Sequence, residues 1–352
     1  MIELTPALSE HRLKGQVREI GINPNYWYAV AWAHEIKPLQ ILAITLWNQE
    51  LAIYCDDQNI VRAVENRCPH KGVALHRGVV QRDAIVCPYH GWKFQNGQCT
   101  HIPYFPIDQK LPTACLRTFP VREQYGIIFV FPGDPAQADQ IPLLDIPQYA
   151  NPNWLMIPVS AHFNAHYTIC NENTMDVFHG YLHRNLQGWF DPVLLKLEEA
   201  EASVRADYRV SYRGAIARFL GLNDTSKVIT RTISVNYQYP NYINSLQDLS
   251  YLYLMRSPIS QHESRSFSLL FVNVRLPKWL IALLQPVLER VIRNRLFMRF
   301  LAQDIAMIES EYENYLRDRS RRYVEVNPAI IALQRVMIRQ YNFSLDCSTG
   351  ES

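Results

Sequence analysis

Two short segments of the chain each combine one cysteine with one histidine. The first reads Cys68-Pro69-His70 and the second reads Cys87-Pro88-Tyr89-His90, and Gly72 and Gly91 follow them. Proline and glycine at these positions predict two tight loops, each of which presents one thiolate and one imidazole to a common point. Two thiolates on one iron and two neutral imidazoles on the other are the ligands of a mixed-ligand [2Fe–2S] cluster. Imidazole carries less negative charge than thiolate and therefore raises the reduction potential of the cluster.

Zinc is the strongest alternative for these four side chains, since two cysteines and two histidines also form a closed structural zinc site. Zinc fingers usually group cysteine with cysteine and histidine with histidine, whereas here each loop supplies one of each. The other cysteines show no ligand spacing, and we expect them to be inert core or surface thiols. They are Cys55, Cys99, Cys115, Cys170 and Cys347.

A second group of metal-ligating side chains lies in residues 172–183, where His179 and His183 are four residues apart. A helix predicted from about Thr168 to Asn185 would place both imidazoles and Asp176 on one face. Two imidazoles and one further carboxylate would form the facial triad of a mononuclear non-haem Fe(II) site, which leaves positions for O2 and substrate. A helix face with a buried histidine hydrogen bond explains the same spacing without a metal.

Asp304 is the candidate for the missing carboxylate. It lies in the middle of an apolar helical face. That face consists of Phe297, Phe300, Leu301, Ile305, Ile308 and Tyr312. A carboxylate at such a position is costly unless a cation or hydrogen-bond donors receive it. A buried aspartate that is hydrogen-bonded to a neighbouring segment is the alternative here.

The elements that must position these residues divide the chain in two. Strand patterns, such as Leu51-Ala52-Ile53-Tyr54 and residues 126–131, fill residues 25–131. Five prolines between Pro132 and Pro152 exclude a helix or a central strand and mark a boundary. We therefore predict an N-terminal arm over 1–24, a first domain over 25–131, a linker over 132–154 and a second domain over 155–352.

The second domain has an α+β pattern. Buried-type residues alternate from Val204 to Tyr212, and further strands are predicted near 228–239, 242–257 and 265–275. A helical pattern runs from Pro277 to about Arg319, with an interruption expected at Pro286. These elements predict an antiparallel sheet packed with helices.

Composition narrows the class of protein further. The 352 residues carry 35 basic and 33 acidic side chains, a net charge of +2, which argues against a nucleic-acid binder. Seven cysteines are too few for a secreted disulfide scaffold. We find no signal peptide and no apolar run of about 20 residues that could span a bilayer, and we expect a cytoplasmic protein.

Both metal-ligating groups, in this order, resemble the α-subunits of Rieske non-haem iron oxygenases. The resemblance covers the chain from Asn25-Tyr26-Trp27-Tyr28 through Gly91-Trp92 to Gln303-Asp304. It implies an all-β Rieske domain, then a helix-grip (START-like) catalytic domain with an antiparallel sheet, in head-to-tail homotrimers. The implied cluster ligands are Cys68, His70, Cys87 and His90, and the implied ligands of the catalytic iron are His179, His183 and Asp304. Asp176 would link His90 of one subunit to His179 of the next and carry the electron between the centres.

One departure concerns the iron histidines. The family more often has four residues between them, and here there are three, Gly180-Tyr181-Leu182. His162 and His166 are nearby replacements, but they precede the predicted helix and we interpret them as structural.

The resemblance also implies partners. No nicotinamide or flavin motif is visible, so a separate ferredoxin or NAD(P)H-dependent reductase would supply electrons. O2 would then hydroxylate or oxidatively demethylate an apolar or aromatic small molecule, as in vanillate-type O-demethylases or pheophorbide a oxygenase-like proteins. An electron-transfer or redox-sensing protein is the alternative, although such a carrier needs little beyond residues 25–131. A zinc-stabilised binding module is a third.

Residues 276–299 combine an apolar run with four arginines, Arg290, Arg293, Arg295 and Arg299. Such a segment could rest on a membrane surface and admit a lipophilic pigment or sterol. A core helix or a trimer contact with a solvated basic face is the interpretation that we favour.

Overall fold

The structure is a computed structural model that describes residues 16–186, 189–212, 229–247, 249–273, 278–321 and 323–349. The chain forms two compact units. The smaller unit is Asn23–Leu143, and the larger unit contains the described chain from Leu144 onward together with residues 16–22. The division after Leu143 lies inside the proline-rich stretch 132–154. In the described part of the N-terminal segment, Val17 and Ile20 are buried.

The smaller unit is built from short antiparallel strands in three sheets. The first sheet contains β1 (Tyr28–Trp32), β10 (Val121–Gln124) and β11 (Ile127–Val130). The second contains β2 (Ile41–Leu46), β3 (Gln49–Cys55), β4 (Val61–Glu65) and β9 (Thr118–Phe119). The third contains β5 (Val79–Gln81), β6 (Ala84–Val86), β7 (Lys93–Gln95) and β8 (Gln98–His101). Strands β3 and β11 confirm the two strands predicted from β-branched and aromatic runs.

The larger unit is organised around one antiparallel sheet in which seven of the described strands lie in the order β12-β18-β17-β16-β15-β14-β13. Their bounds are β12 (Trp154–Phe163), β13 (Trp189–Glu199), β14 (Ser203–Tyr212), β15 (Ile229–Gln238), β16 (Asn241–Leu246), β17 (Ser250–Pro258) and β18 (Ser264–Asn273). The predicted alternation along β14 is confirmed, because Val204, Ala206, Tyr208, Val210 and Tyr212 are all buried. The stretch predicted as one strand over 242–257 is two strands, β16 and β17, that pair with each other.

Four helices of the described residues accompany this sheet. They are α1 (Tyr167–Met175), α2 (Lys278–Val291), α3 (Met298–Arg317) and α4 (Pro328–Thr349). Helices α2 and α3 are joined by a π-helical stretch, Ile292–Phe297. None of the helices in the described ranges is both long and apolar enough to cross a membrane.

Two helix predictions are wrong. The helix expected over 168–185 ends at Met175, and a 3₁₀ helix over Val177–Tyr181 follows it. The break has a local cause, since the Asp176 side chain accepts a hydrogen bond from the Phe178 N–H and so begins a new turn. The interruption expected at Pro286 is absent, because Pro286 lies inside α2. Packing of Leu288 and Ile292 against the buried side chains of β12 offsets the hydrogen bond that proline removes.

Candidate metal centres

The two cysteine–histidine loops of the smaller unit have the same backbone geometry. In the first loop, the Gly72 N–H donates to the Cys68 carbonyl at 2.8 Å, and the Cys68 N–H donates to the Val73 carbonyl at 2.9 Å. In the second, Gly91 and Cys87 repeat both bonds, at 3.1 and 2.9 Å. Both glycines have positive φ, +71° and +68°, which a side chain would strain. Each loop is therefore a tight turn that fixes its cysteine at the first position.

Thiols and imidazoles occupy different environments in these loops. Cys68 and Cys87 are buried in the core of the smaller unit, beside Leu75 and Phe94. His90 is exposed and His70 is half-buried. The rings of His70 and His90 lie edge to face, with centroids 4.6 Å apart, and Trp92 stacks on His70. The arrangement places two thiols in the core of the unit and two imidazole rings in contact nearer its surface.

Two observations show that these side chains fit an iron–sulfur cluster. The Nδ1 atom of His70 is buried and has no hydrogen-bond partner among the described residues. Burial, together with the adjacent Cys87 thiol, raises the pKa of Cys68 to about 11. A thiol of that pKa is protonated at neutral pH unless a bound cation holds it as thiolate. An orphaned imidazole nitrogen and two apposed buried thiols thus match the donor set of a mixed-ligand [2Fe–2S] cluster.

The larger unit brings His179, His183 and Asp304 together. One ligand atom from each residue lies within 4.8 Å of the other two. The Nε2 atoms of His183 and His179 lie 3.0 and 3.8 Å from Oδ1 of Asp304. His183 and Asp304 are buried. His179 comes from the 3₁₀ helix, His183 from the turn after it and Asp304 from α3, so the site joins segments more than 120 residues apart.

Neighbouring groups hold both imidazoles in place. His179 Nδ1 bonds the backbone carbonyl of Asp176, and His183 Nδ1 lies 2.9 Å from Oε1 of Gln303. In each ring Nε2 is therefore the nitrogen that faces Asp304. Burial lowers the pKa of His179, and the neutral imidazole that results is the form that binds a metal. Two imidazoles and one aspartate side chain around one point fit the facial triad of non-haem Fe(II).

Asp176 is fixed by its own hydrogen bonds beside this site. Its Oδ1 accepts from the Phe178 N–H and from Nδ2 of Asn327, both at 3.0 Å. Asn327 is buried and in turn accepts from the Tyr208 hydroxyl at 3.2 Å. The carboxylate thus ends α1, begins the 3₁₀ helix and is tied to the segment before α4.

A cavity of about 360 Å³ adjoins the triad, and His179, Asp304 and Asp176 all line it. Most of its wall is apolar and comes from the sheet and from the α2–α3 region. Apolar lining residues include Val159, Leu186, Trp189, Ile233, Leu252, Leu270, Phe297 and Leu301. The volume lies within the range of about 300–1,000 Å³ typical of small-molecule sites. The site can therefore hold an apolar ligand beside the triad.

Several residues that shape this site were not predicted from the sequence. Phe300 stacks on His183, and Gln303 bonds its Nδ1 atom. Gly180 packs directly against Trp189, where a Cβ atom would overlap the indole ring. Gly180, which lies between the two histidines, was the one signal in the sequence of this close approach to Trp189. The Asn327 partner of Asp176 lies 151 residues away in sequence and gave no such signal.

His162 and His166 lie outside the triad. His166 is fully buried at the start of α1, where its Nδ1 atom lies 2.7 Å from the Thr168 hydroxyl. His162 is half exposed on β12. Of the other cysteines, Cys55 and Cys170 are buried, while Cys347 lies outside the residues whose side chains are described.

Comparison with known proteins adds family evidence to this geometry. Residues 26–120 match the Rieske [2Fe-2S] domain, and residues 163–341 match the vanillate O-demethylase oxygenase C-terminal domain. The 4beta-methylsterol monooxygenase of Methylococcus capsulatus is 32% identical over 93% of this chain and 90% of its own length. The oxygenase component of dicamba O-demethylase from Stenotrophomonas maltophilia is 33% identical over 46% of this chain and 47% of its own.

Solved structures share the fold over nearly the whole chain. A crystal structure of dicamba monooxygenase bound to 3,6-dichlorosalicylic acid aligns with a TM-score of 0.77. It covers 93% of this chain and 99% of its own at 20% identity. The caffeine-bound NdmA of Pseudomonas putida aligns with a TM-score of 0.67 over 95% and 91% of the two chains, at 18% identity.

Proposed function

The chain belongs to the Rieske non-haem iron oxygenases that end in a vanillate O-demethylase-type domain, and on that premise we propose that it oxidises a polycyclic lipophilic molecule. As a member of that family it is an oxidoreductase that works with a [2Fe–2S] cluster and a mononuclear iron, and it hydroxylates or demethylates an apolar or aromatic substrate. The apolar cavity that adjoins His179 and Asp304 is the observation that carries the proposal.

We propose that Cys68, His70, Cys87 and His90 hold the cluster and that His179, His183 and Asp304 hold the catalytic iron. The buried thiols, the orphaned His70 nitrogen and the convergence of the triad support these assignments. The three-residue spacing between the histidines is compatible with this role, because the 3₁₀ helix and the turn after it aim both Nε2 atoms at Asp304.

The protein's contribution to the reaction follows from its own residues. Bound iron supplies O2 activation, which the apoprotein cannot perform. Gln303 and the Asp176 carbonyl orient the two imidazoles, and the apolar wall excludes water from the reacting carbon. In our proposal Asp176 also connects His179 to His90 of a neighbouring subunit in a homotrimer, so that electrons pass between centres.

The proposed substrate class is a sterol or similar alicyclic molecule, oxidised at an aliphatic carbon. Two facts support it. The 4beta-methylsterol monooxygenase of Methylococcus capsulatus matches 93% of this chain, whereas the dicamba O-demethylase of Stenotrophomonas maltophilia matches 46% of it. Most of the apolar residues that line the cavity are also aliphatic. Aromatic ethers and lipophilic pigments are the competing substrates.

The test is an ¹⁸O₂ incorporation assay on iron-loaded protein with a ferredoxin and an NAD(P)H-dependent reductase. Methylsterols, aromatic ethers and a chlorophyll-derived pigment are offered in parallel. We expect one ¹⁸O atom in a hydroxylated methylsterol. If only an aromatic ether gives product, the substrate class is an aromatic ether and not a sterol. A reducible cluster with no third iron and no product would favour the electron-transfer alternative.

The exposed apolar residues of α2 do not fit the core helix that the sequence favoured, and we therefore also propose a peripheral membrane contact through α2. Leu283, Val287 and Val291 repeat every four residues on this helix and are exposed, and Arg290 is exposed beside them. Arginines next to an apolar stripe suit an anionic lipid surface, from which a sterol could be drawn. Sedimentation with anionic vesicles and with neutral vesicles tests this contact, and recovery of all the protein in the supernatant in both cases would favour a solvated or subunit-contact face.

A further inference from the structure

The cavity beside the triad contains a buried cation. Arg256 projects from β17, lines the cavity and is only 3% exposed. Leu254, on the same strand, and Ser266, which is paired with Arg256 on β18, line the same cavity. An arginine at this position is unexpected in a wall that is otherwise mainly apolar, because burial of an unpaired charge is costly.

Most of the guanidinium is held in place by α1. Nη2 of Arg256 donates to the Cys170 carbonyl at 3.0 Å and to the Thr174 hydroxyl at 3.1 Å, and Nε donates to Oδ1 of Asn171 at 3.4 Å. Its Cζ atom lies 4.9 Å from the centroid of the Phe163 ring. These contacts fix the plane of the group. Nη1 is left buried with no hydrogen-bond partner among the described residues.

The charge of Arg256 is also unpaired. No carboxylate of the described part of the chain lies within ion-pair distance of it, and its three acceptors are neutral. Arg18, equally buried in the same unit, shows the contrast, because it forms two hydrogen bonds of 2.6 Å with the carboxylate of Glu172. The described carboxylates that line the cavity have other partners, Asp304 with His183 and Asp176 with Asn327.

Arg256 lines the cavity and carries a buried, oriented donor that no described residue satisfies, and such a donor indicates an acceptor supplied by a ligand. We propose that the guanidinium of Arg256 donates a hydrogen bond to an oxygen atom of the bound substrate. The substrate is then an oxygenated lipophile, with a carboxylate or a neutral carbonyl or hydroxyl oxygen, and Arg256 selects it over a bare hydrocarbon. This inference rests on the proposed function of the same cavity and assigns one end of the substrate to Arg256.

The experiment measures binding without turnover. Anaerobic, iron-loaded protein is dialysed to equilibrium against three probes that share one ring system: 2-naphthoate, 2-acetonaphthone and 2-ethylnaphthalene. They carry a carboxylate, a neutral carbonyl and no oxygen. We expect the wild-type protein to bind at least one oxygenated probe about tenfold more tightly than 2-ethylnaphthalene, equivalent to about 1.4 kcal/mol. Whichever oxygenated probe binds more tightly identifies the acceptor as charged or neutral.

Arg256→Met should abolish that preference and leave the affinity for 2-ethylnaphthalene unchanged within about twofold. Arg256→Lys keeps a cationic donor and should retain part of the preference for the oxygenated probes. Arg205→Met is the matched control, because Arg205 is a half-exposed strand arginine that is ion-paired to Asp207 and does not line the cavity.

Equal affinities of the wild-type protein for all three probes would overturn the proposal, even if Arg256→Met does not fold. An oxygen preference that persists in Arg256→Met would also overturn it. Failure of the ¹⁸O₂ assay has no bearing on this binding series, so the two proposals can fail separately.

Discussion

The imidazole of His183 stacks on the phenyl ring of Phe300, with centroids 3.5 Å apart and planes 17° from parallel. His183 is therefore fixed from two directions, by the ring over its face and by Gln303 at Nδ1. This fixation compensates for the short spacing between the two histidines, because the ring of His183 is oriented from α3 and not by an α-helix that it shares with His179.

Phe300→Leu should weaken iron binding at the triad while the cluster remains intact. Groups that orient metal-bound histidines typically contribute about 10–100-fold in affinity. Titration of Fe(II) into the cluster-loaded protein measures the effect, with Phe343→Leu, an exposed phenylalanine of α4, as control. Equal iron affinity in Phe300→Leu and the wild-type protein would show that the stacking has no role in metal binding.

His179→Ala should remove the catalytic iron and turnover but leave the visible and EPR spectra of the cluster unchanged. The reason is that His179 and the cluster loops belong to different units of the chain. Iron and sulfide quantification of protein purified without O2 reports both centres at once. Turnover of a confirmed substrate by this variant would show that the iron site is wrongly assigned.

Cys87→Ala should produce the opposite pattern, with loss of the reducible cluster and retention of one iron per chain at the triad. A [2Fe–2S] cluster cannot form when a buried thiolate ligand is missing. Cys55→Ala is the matched control, since Cys55 is also a buried cysteine of the smaller unit. A normal cluster spectrum in Cys87→Ala would contradict the proposed ligation.

Arg18→Met should destabilise the protein by about 3–5 kcal/mol, because it leaves the buried Glu172 carboxylate without its cation. Urea unfolding followed by circular dichroism measures the free energy. Arg122→Met removes an exposed pair with Asp139 and should cost less than about 1 kcal/mol. Equal destabilisation by the two substitutions would show that the buried Arg18–Glu172 pair contributes no more to the free energy of unfolding than the exposed Arg122–Asp139 pair.

Acid should destabilise the larger unit through His166. Burial, with Arg18 and His262 nearby, lowers the pKa of this imidazole to about 3, whereas an unfolded histidine titrates near pH 6.5. Between these values the unfolded state binds the extra proton, so stability is complete above about pH 6.5 and falls with decreasing pH. From about pH 7 to about pH 5 the loss is about 2 kcal/mol.

His166→Gln should remove this part of the pH dependence, although it also alters the start of α1. The comparison is therefore between slopes of unfolding free energy against pH and not between absolute stabilities. His162→Gln, at a half-exposed histidine, is the matched control. An unchanged slope in His166→Gln would show that His166 does not titrate on unfolding.

Residue type and spacing were enough to select the candidate ligands from the sequence. Each loop carries a Cys–His pair with turn formers, and Asp304 interrupts an apolar helical face. Each of these signals lies within a single segment of the sequence. The break between α1 and the 3₁₀ helix could not be predicted in this way. The Asp176–Phe178 hydrogen bond that begins the new turn is local, but the Asn327 amide that also holds the Asp176 carboxylate is 151 residues away. The place of Arg256 in the cavity likewise follows from the pairing of β17 with β18 and from α1.

The assignment of Arg18 to the larger unit has a consequence for the modularity of the protein. Residues 16–22 belong with the chain from Leu144 onward, so in engineering terms the smaller unit is inserted between two parts of the larger unit and is not an N-terminal module. A gene fragment that starts at Leu144 would encode Glu172 without the guanidinium that neutralises it. The excisable catalytic module is therefore discontinuous, and a stand-alone version must carry residues 16–22 as a fusion or as a separate peptide.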